Sequence, residues 1–223
     1  MAKKNSELIR NLKLSAPQTM DYYVAISNDK ERHKFIKRVE KIVRSSKEYR
    51  DYIQFLKEHV GLDKCVFFQN VTNGGENKKS RISIEIHHEP FTLYEIVDTV
   101  LTKYQDEGLP INDLLIADEV LELHYNNQVG LVPLSKTMHE MIHNSTKVIV
   151  PLNMCYGQYS EFLEEYEPYI SEEMYEKLER KMNETAALTP ESFEAIMKEF
   201  TYIEVEGFND IEKMELKEQI NIA

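Results

Sequence analysis

The sequence predicts an α+β fold: a small β-hairpin-plus-helix core embedded in a mostly helical protein. Three observations carry this. Ile82, Ile84 and Ile86 alternate with Arg81, Ser83 and Glu85, the period of a half-buried strand. Helical stripes with recognisable start signals lie on both sides of that strand. Four of the seven histidines fall in two pairs, His87-His88 at the strand's end and His139-x-x-x-His143 on a short helix.

The elements follow in chain order. Asp29–Arg44 carries a helical stripe of Phe35, Ile36, Val39, Ile42 and Val43. Ser45-Ser46-Lys47-Glu48 reads as a capping box that starts a second helix, with Tyr49, Tyr52, Ile53, Phe55, Leu56 and Val60 as its stripe and Gly61 as its stop. Cys65–Gln69 is β-like, Asn73–Asn77 is a turn, and Arg81–His88 is the strand, which together form a hairpin ending at the two histidines. Thr92-Leu93-Tyr94-Glu95 is a capping box opening a helix to about Lys103, and Leu114–Tyr125 is another helix. Asn126–Gln128 is a loop, and Val129–Leu134 a short strand cut by Pro133. Ser135 caps a short helix, Lys136–His143, ended by Asn144-Ser145. Beyond the β-like Lys147–Leu152 come helices over Tyr159–Tyr169, Ser171–Met182 and Pro190–Phe200, then a last strand at Tyr202–Glu206.

The charge is unevenly placed. Residues 1–50 hold 13 Lys/Arg against 6 Asp/Glu, whereas residues 156–223 hold 6 against 18. A basic lead can approach phosphates and an acidic tail would be repelled by them, which points the tail toward a protein partner. The boundaries 1–62 (basic helical region), 63–155 (hairpin-plus-helix core with a helical insertion) and 156–223 (acidic helical region) are compositional. No Gly/Ser/Pro-rich linker separates them, so one compact unit is expected. The longest apolar runs, such as Val148–Leu152, are too short to cross a bilayer, and no signal core follows the N-terminus. With only Cys65 and Cys155, no disulfide framework is indicated and a reducing, cytoplasmic home is expected.

The histidine pairs carry the chemistry. Positions four apart on a helix share one face, so His139 and His143 can hold one metal ion. Neighbours at a strand end point to opposite sides, so one of His87 and His88 can bind metal while the other faces a substrate. His139-Glu140-Met141-Ile142-His143 also matches His-Glu-x-x-His, in which two histidines bind zinc and the glutamate is the base of a protease. His124 is expected on a helix face, and His33 and His59 on the surface.

The wider context, Ile84-Glu85-Ile86-His87-His88-Glu89-Pro90 followed by Gly130-Leu131-Val132-Pro133-Leu134-Ser135-Lys136-Thr137-Met138-His139-Glu140-Met141-Ile142-His143-Asn144, resembles the HNH or ββα-metal nucleases over roughly residues 80–145. The resemblance implies His87, His139 and His143 as ligands of one divalent ion (Mg²⁺, Mn²⁺ or Zn²⁺), His88 as general base, and DNA phosphodiester hydrolysis as the reaction. Three imidazoles suit a transition metal better than Mg²⁺. The family's orienting asparagine stands nine residues before the first helix histidine, where this chain has Gly130. Asn126 and Asn127 are the candidates to take that role. Lys78, Lys79 and Arg81, with the basic helices, are candidates for phosphate contact. Such a nuclease would suit a phage. The alternatives are a ββα-metal binding protein without cleavage, docking protein or nucleic acid, and the zinc protease, which would need Glu140 at the metal.

Overall fold

A computed structural model describes residues 26, 28–68, 71–72, 83–144 and 148–192. Helix α1, Asp29–Ser45, begins where the Asn28 side chain accepts from Glu31 N at 3.0 Å. Phe35, Ile36, Val39 and Val43 on its inner stripe are fully buried. Each such side chain contributes roughly 1.5–3 kcal/mol, so packing rather than its many exposed charges holds this helix. Helix α2, Lys47–Phe55, is capped by Ser46, whose hydroxyl accepts from Tyr49 N at 3.0 Å. The cap is thus one residue later than the expected box, and Glu48 takes no part in it. A wider turn, Leu56–Val60, follows and ends at Gly61, whose φ of 90° is the left-handed conformation that glycine adopts freely.

Strand β1 is Ile84–His88, and helix α3 is Leu93–Asp106. Both halves of the Thr92/Glu95 capping box form. Helix α4, Asp113–Tyr125, follows with Asn112 as its cap. Strand β2, Leu131–Ser135, runs straight into helix α5, Lys136–Asn144, where Ser135 Oγ accepts from Met138 N. After a short turn at Leu152–Met154 come α6, Tyr159–Tyr166, and α7, Glu172–Ala187. Among the described residues the fold is mainly helical with one antiparallel pair of strands, consistent with the α+β class.

The strand pairing differs from the expected hairpin. β1 pairs with β2, with His88 opposite Leu131, His87 opposite Val132 and Glu85 opposite Leu134. Residues 65–68 form no strand, although Val66 N donates to Pro133 O and Lys64 bridges Thr72. The cause lies in β2. Glu89 N donates to Gly130 O and Lys136 N to Ser83 O, so the narrow and wide pairs alternate and Pro133, opposite Ile86, falls on a pair without ladder bonds. Its missing N–H faces away from β1, and β2 runs through the proline instead of being cut by it. Residues 148–151 lie near β2 without forming the expected strand. The Asn73–Asn77 turn, Lys78, Lys79, Arg81, most of the Pro190–Phe200 helix and the Tyr202–Glu206 strand lie outside the described residues.

The two-stranded sheet stands between two apolar clusters. One joins α1, α3 and α4 with Leu131, Phe162, Tyr166 and Met174, so all three compositional regions meet in it. The smaller gathers Cys65, Ile84, Val132, Leu134, Met138, Val148 and Val150 under α5. Glu85 and His87 on one side of β1 meet α5, Ile86 and His88 on the other meet the helical core, and Ile84 at the strand's start packs into the smaller cluster.

Candidate metal centre

His87 is supplied by β1, His139 and His143 by α5, and β2 fixes the distance between them by connecting directly to α5. One ring nitrogen of each histidine lies within 4.8 Å of those of the others. His139 Nε2 and His143 Nε2 are 3.1 Å apart. Two nitrogens each bound to one ion at about 2.0–2.1 Å would be separated by about this distance. The donor set is wholly imidazole, the chemistry of a transition-metal site. His87 is buried, His139 half-buried and His143 exposed, so the site opens to solvent on one side.

Two carboxylates stand beside these histidines. Glu85 Oε2 is 2.6 Å from His139 Nδ1. Glu89 Oε2 is 3.4 Å from His87 Nε2, and its other oxygen is ion-paired with Lys181 of α7. Burial pushes the Glu89 carboxyl up, but its contacts with His87 and Lys181 outweigh that and hold it below its usual range. Burial, then the proximity of His87 and His139, lowers the His143 pKa.

His88 takes the opposite side of the strand. It is 4 % exposed, and its Nε2 lies 3.0 Å from Nε2 of His124, which is fully buried. His124 Nδ1 is 2.6 Å from the Val120 carbonyl. Tyr49 lies parallel to the His88 ring and edge-on to His124. Burial, reinforced by His124 and Arg44, holds the His88 pKa well below its ordinary value. Burial brings that of His124 to about 4. His88 still reaches a cleft of about 130 Å³ lined also by Arg44, His87, Thr92, His139 and His143.

The expected contact of Asn126 or Asn127 with His88 is not formed. The Asn127 side chain accepts from the Tyr156 hydroxyl at 3.1 Å. Asn126 is exposed and borders a separate groove with Lys103, Glu119, Glu161 and Glu165. No side chain fits at residue 130, because a Cβ there would stand 1.9 Å from the Glu89 carbonyl oxygen. The partner of His88 is instead His124, placed on a helix face by its sequence. The missed signal was its position: His124 continues the buried stripe Ile116, Ala117, Val120, Leu121 of α4. Glu140 is 64 % exposed, with Lys136 Nζ at 3.8 Å as its nearest charged partner, and does not line the cleft. His33 and His59 are exposed as expected. No described helix is long and apolar enough to cross a membrane.

No protein of curated function matches the chain, and no solved structure does. A family model described as Bacteriophage G278-like virion protein matches residues 2–218, nearly the whole chain, and the protein belongs to that family.

Proposed function

We propose that this virion protein carries a ββα-metal centre of the HNH kind that hydrolyses DNA phosphodiester bonds with one divalent ion. The observation that carries the reading is the convergence of His87, His139 and His143 from an antiparallel strand pair and the helix that directly follows it. His87, His139 and His143 would hold the ion, and the all-nitrogen set favours Zn²⁺ or Mn²⁺ over Mg²⁺. When bound, the ion supplies positive charge to the scissile phosphate and the departing 3′-oxygen. His88 would take the proton of the attacking water at Nδ1, since its Nε2–H is committed to His124. Arg44, on the same cleft and only loosely paired with Glu40 at 3.9 Å, would bind a non-bridging phosphate oxygen. The exposed lysines and arginines of α1 extend that positive surface. The acidic α6 and α7 would face a protein neighbour, such as another component of the particle. The test is metal-dependent nicking of supercoiled plasmid: His88→Ala should abolish it while metal binding persists, and unimpaired nicking by that variant would sink the mechanism.

A second reading is a ββα-metal element kept for binding or rigidity, without cleavage. The near-complete burial of His88 and the side-chain-free position at Gly130 favour it. It requires stoichiometric metal binding and no nicking with any divalent ion. The protease reading lacks its base, because Glu140 stands in solvent away from the ligands.

A further inference from the structure

We infer that Glu85 is a positioning residue for the metal centre, fixing His139 as an Nε2 ligand; this rests on the metal reading above. Glu85 and His87 stand two residues apart on β1, so the strand's period places both on the side that meets α5. Glu85 Oε2 lies 2.6 Å from His139 Nδ1. An ionised carboxylate only accepts, so Nδ1 must carry the proton and the lone pair of the neutral ring is confined to Nε2. That is the nitrogen 3.1 Å from His143 Nε2, pointed at the ligand cluster. The negative charge behind Nδ1 also makes Nε2 a better electron-pair donor. Lys57 Nζ donates to the neighbouring Ile84 carbonyl at 2.5 Å, which ties down the strand backbone beside Glu85. Among the described residues, Glu85 is the carboxylate in contact with His139.

The arrangement separates ligand choice from ligand strength. His139 and His143 share a helix face whatever Glu85 does, but without it the His139 ring can hold its proton on either nitrogen and can turn about its side-chain bonds. Part of the binding free energy is then lost in ordering it.

The test uses the purified full chain and Zn²⁺ titrated against a chelator of known affinity, with wild type, Glu85→Gln and Glu85→Ala compared. Glu85→Ala should weaken Zn²⁺ binding 10- to 100-fold. Glu85→Gln, whose amide oxygen still accepts from Nδ1–H, should lie between it and the wild type. Nitrogen chemical shifts of His139 in the metal-free protein should report the Nδ1–H tautomer in wild type and Glu85→Gln, and a mixture in Glu85→Ala. A role confined to stability would leave the tautomer unmoved. Equal Zn²⁺ affinity in wild type and Glu85→Ala overturns the inference. Absence of Zn²⁺ binding by the wild type overturns the metal reading on which it rests.

Discussion

His88 Nε2 and His124 Nε2 face each other at 3.0 Å, both rings out of solvent. The Val120 carbonyl can only accept, so the proton of His124 sits on Nδ1 and its Nε2 is an acceptor. His88 must therefore donate from Nε2, which leaves Nδ1 as its basic atom. A chain of two imidazoles ending on a helix carbonyl thus sets the tautomer of the residue beside His87. Among the described residues neither ring is paired with a carboxylate, so burial holds both neutral.

That neutrality makes the fold acid-sensitive. Burial of His124 among Tyr49, Tyr52 and His88, reinforced by the positive charge of Arg44, outweighs the Val120 carbonyl that would favour the charged ring. Its folded pKa of about 4 is below the unfolded value, so the unfolded chain binds the proton first. Stability should be level above about pH 6.5 and fall as pH drops from there toward 4, on the order of 3 kcal/mol from this residue. Denaturant midpoints measured from pH 7.5 to 4.5 check this. His124→Gln keeps an acceptor for His88 but does not titrate, and should flatten the curve. An unchanged slope in that variant would contradict the assignment.

Gly130 stands where the HNH nucleases that this sequence resembles carry an asparagine, and the backbone there leaves no room for one. The chain of β2 lies against the Glu89 carbonyl so closely that a Cβ would clash at 1.9 Å. Gly130→Asn should therefore destabilise the protein by about 2 kcal/mol or more through forced displacement of β1 from β2. For a chain of this length that is a fall in Tm of roughly 4–8 °C. Calorimetry measures it; a variant as stable as the wild type would mean the 89–130 contact gives way easily.

Glu140→Gln separates the two metal chemistries compatible with residues 139–143. The nuclease reading gives this exposed side chain no role, so nicking rate and Zn²⁺ affinity should stay within about twofold of wild type. A loss of a proteolytic activity in the variant would restore the protease reading.

His88→Ala should leave Zn²⁺ affinity within a few-fold, because its Nε2 is engaged with His124 and it is not one of the three clustered histidines, while the rate of nicking falls by about 100-fold or more. Loss of both together would show that the ring serves the structure of β1 and not proton transfer.

Local pattern made much of this legible. The β1 alternation, the Thr92/Glu95 box and the α1 stripe depend on residues close in sequence, and each formed where the pattern put it. The strand and helix periods that put His87 at a strand end and His139 and His143 on one helix face are also local, but their convergence needs β1 to pair with β2. Strand partnership is not local. Residues 65–68 and 131–134 are both apolar, and the alternation of bonded pairs lets Pro133 sit in β2 without breaking its pairing to β1, a match that no local pattern displays. The role of His124 depended on which face of α4 is buried under Tyr49 and Tyr52, a tertiary fact that its helical position only hinted at. The Gly130 departure pointed to Asn126 and Asn127, but the turn after α4 directs Asn127 to Tyr156, and Asn126 is exposed at a separate groove.

The central claim is one ion on three named histidines. Anomalous diffraction at the zinc edge, from crystals of the full chain grown with Zn²⁺, tests it most directly. The account predicts one strong peak per chain, within about 2.0–2.2 Å of a ring nitrogen of each of His87, His139 and His143. A peak elsewhere, or none at these three side chains, would contradict it.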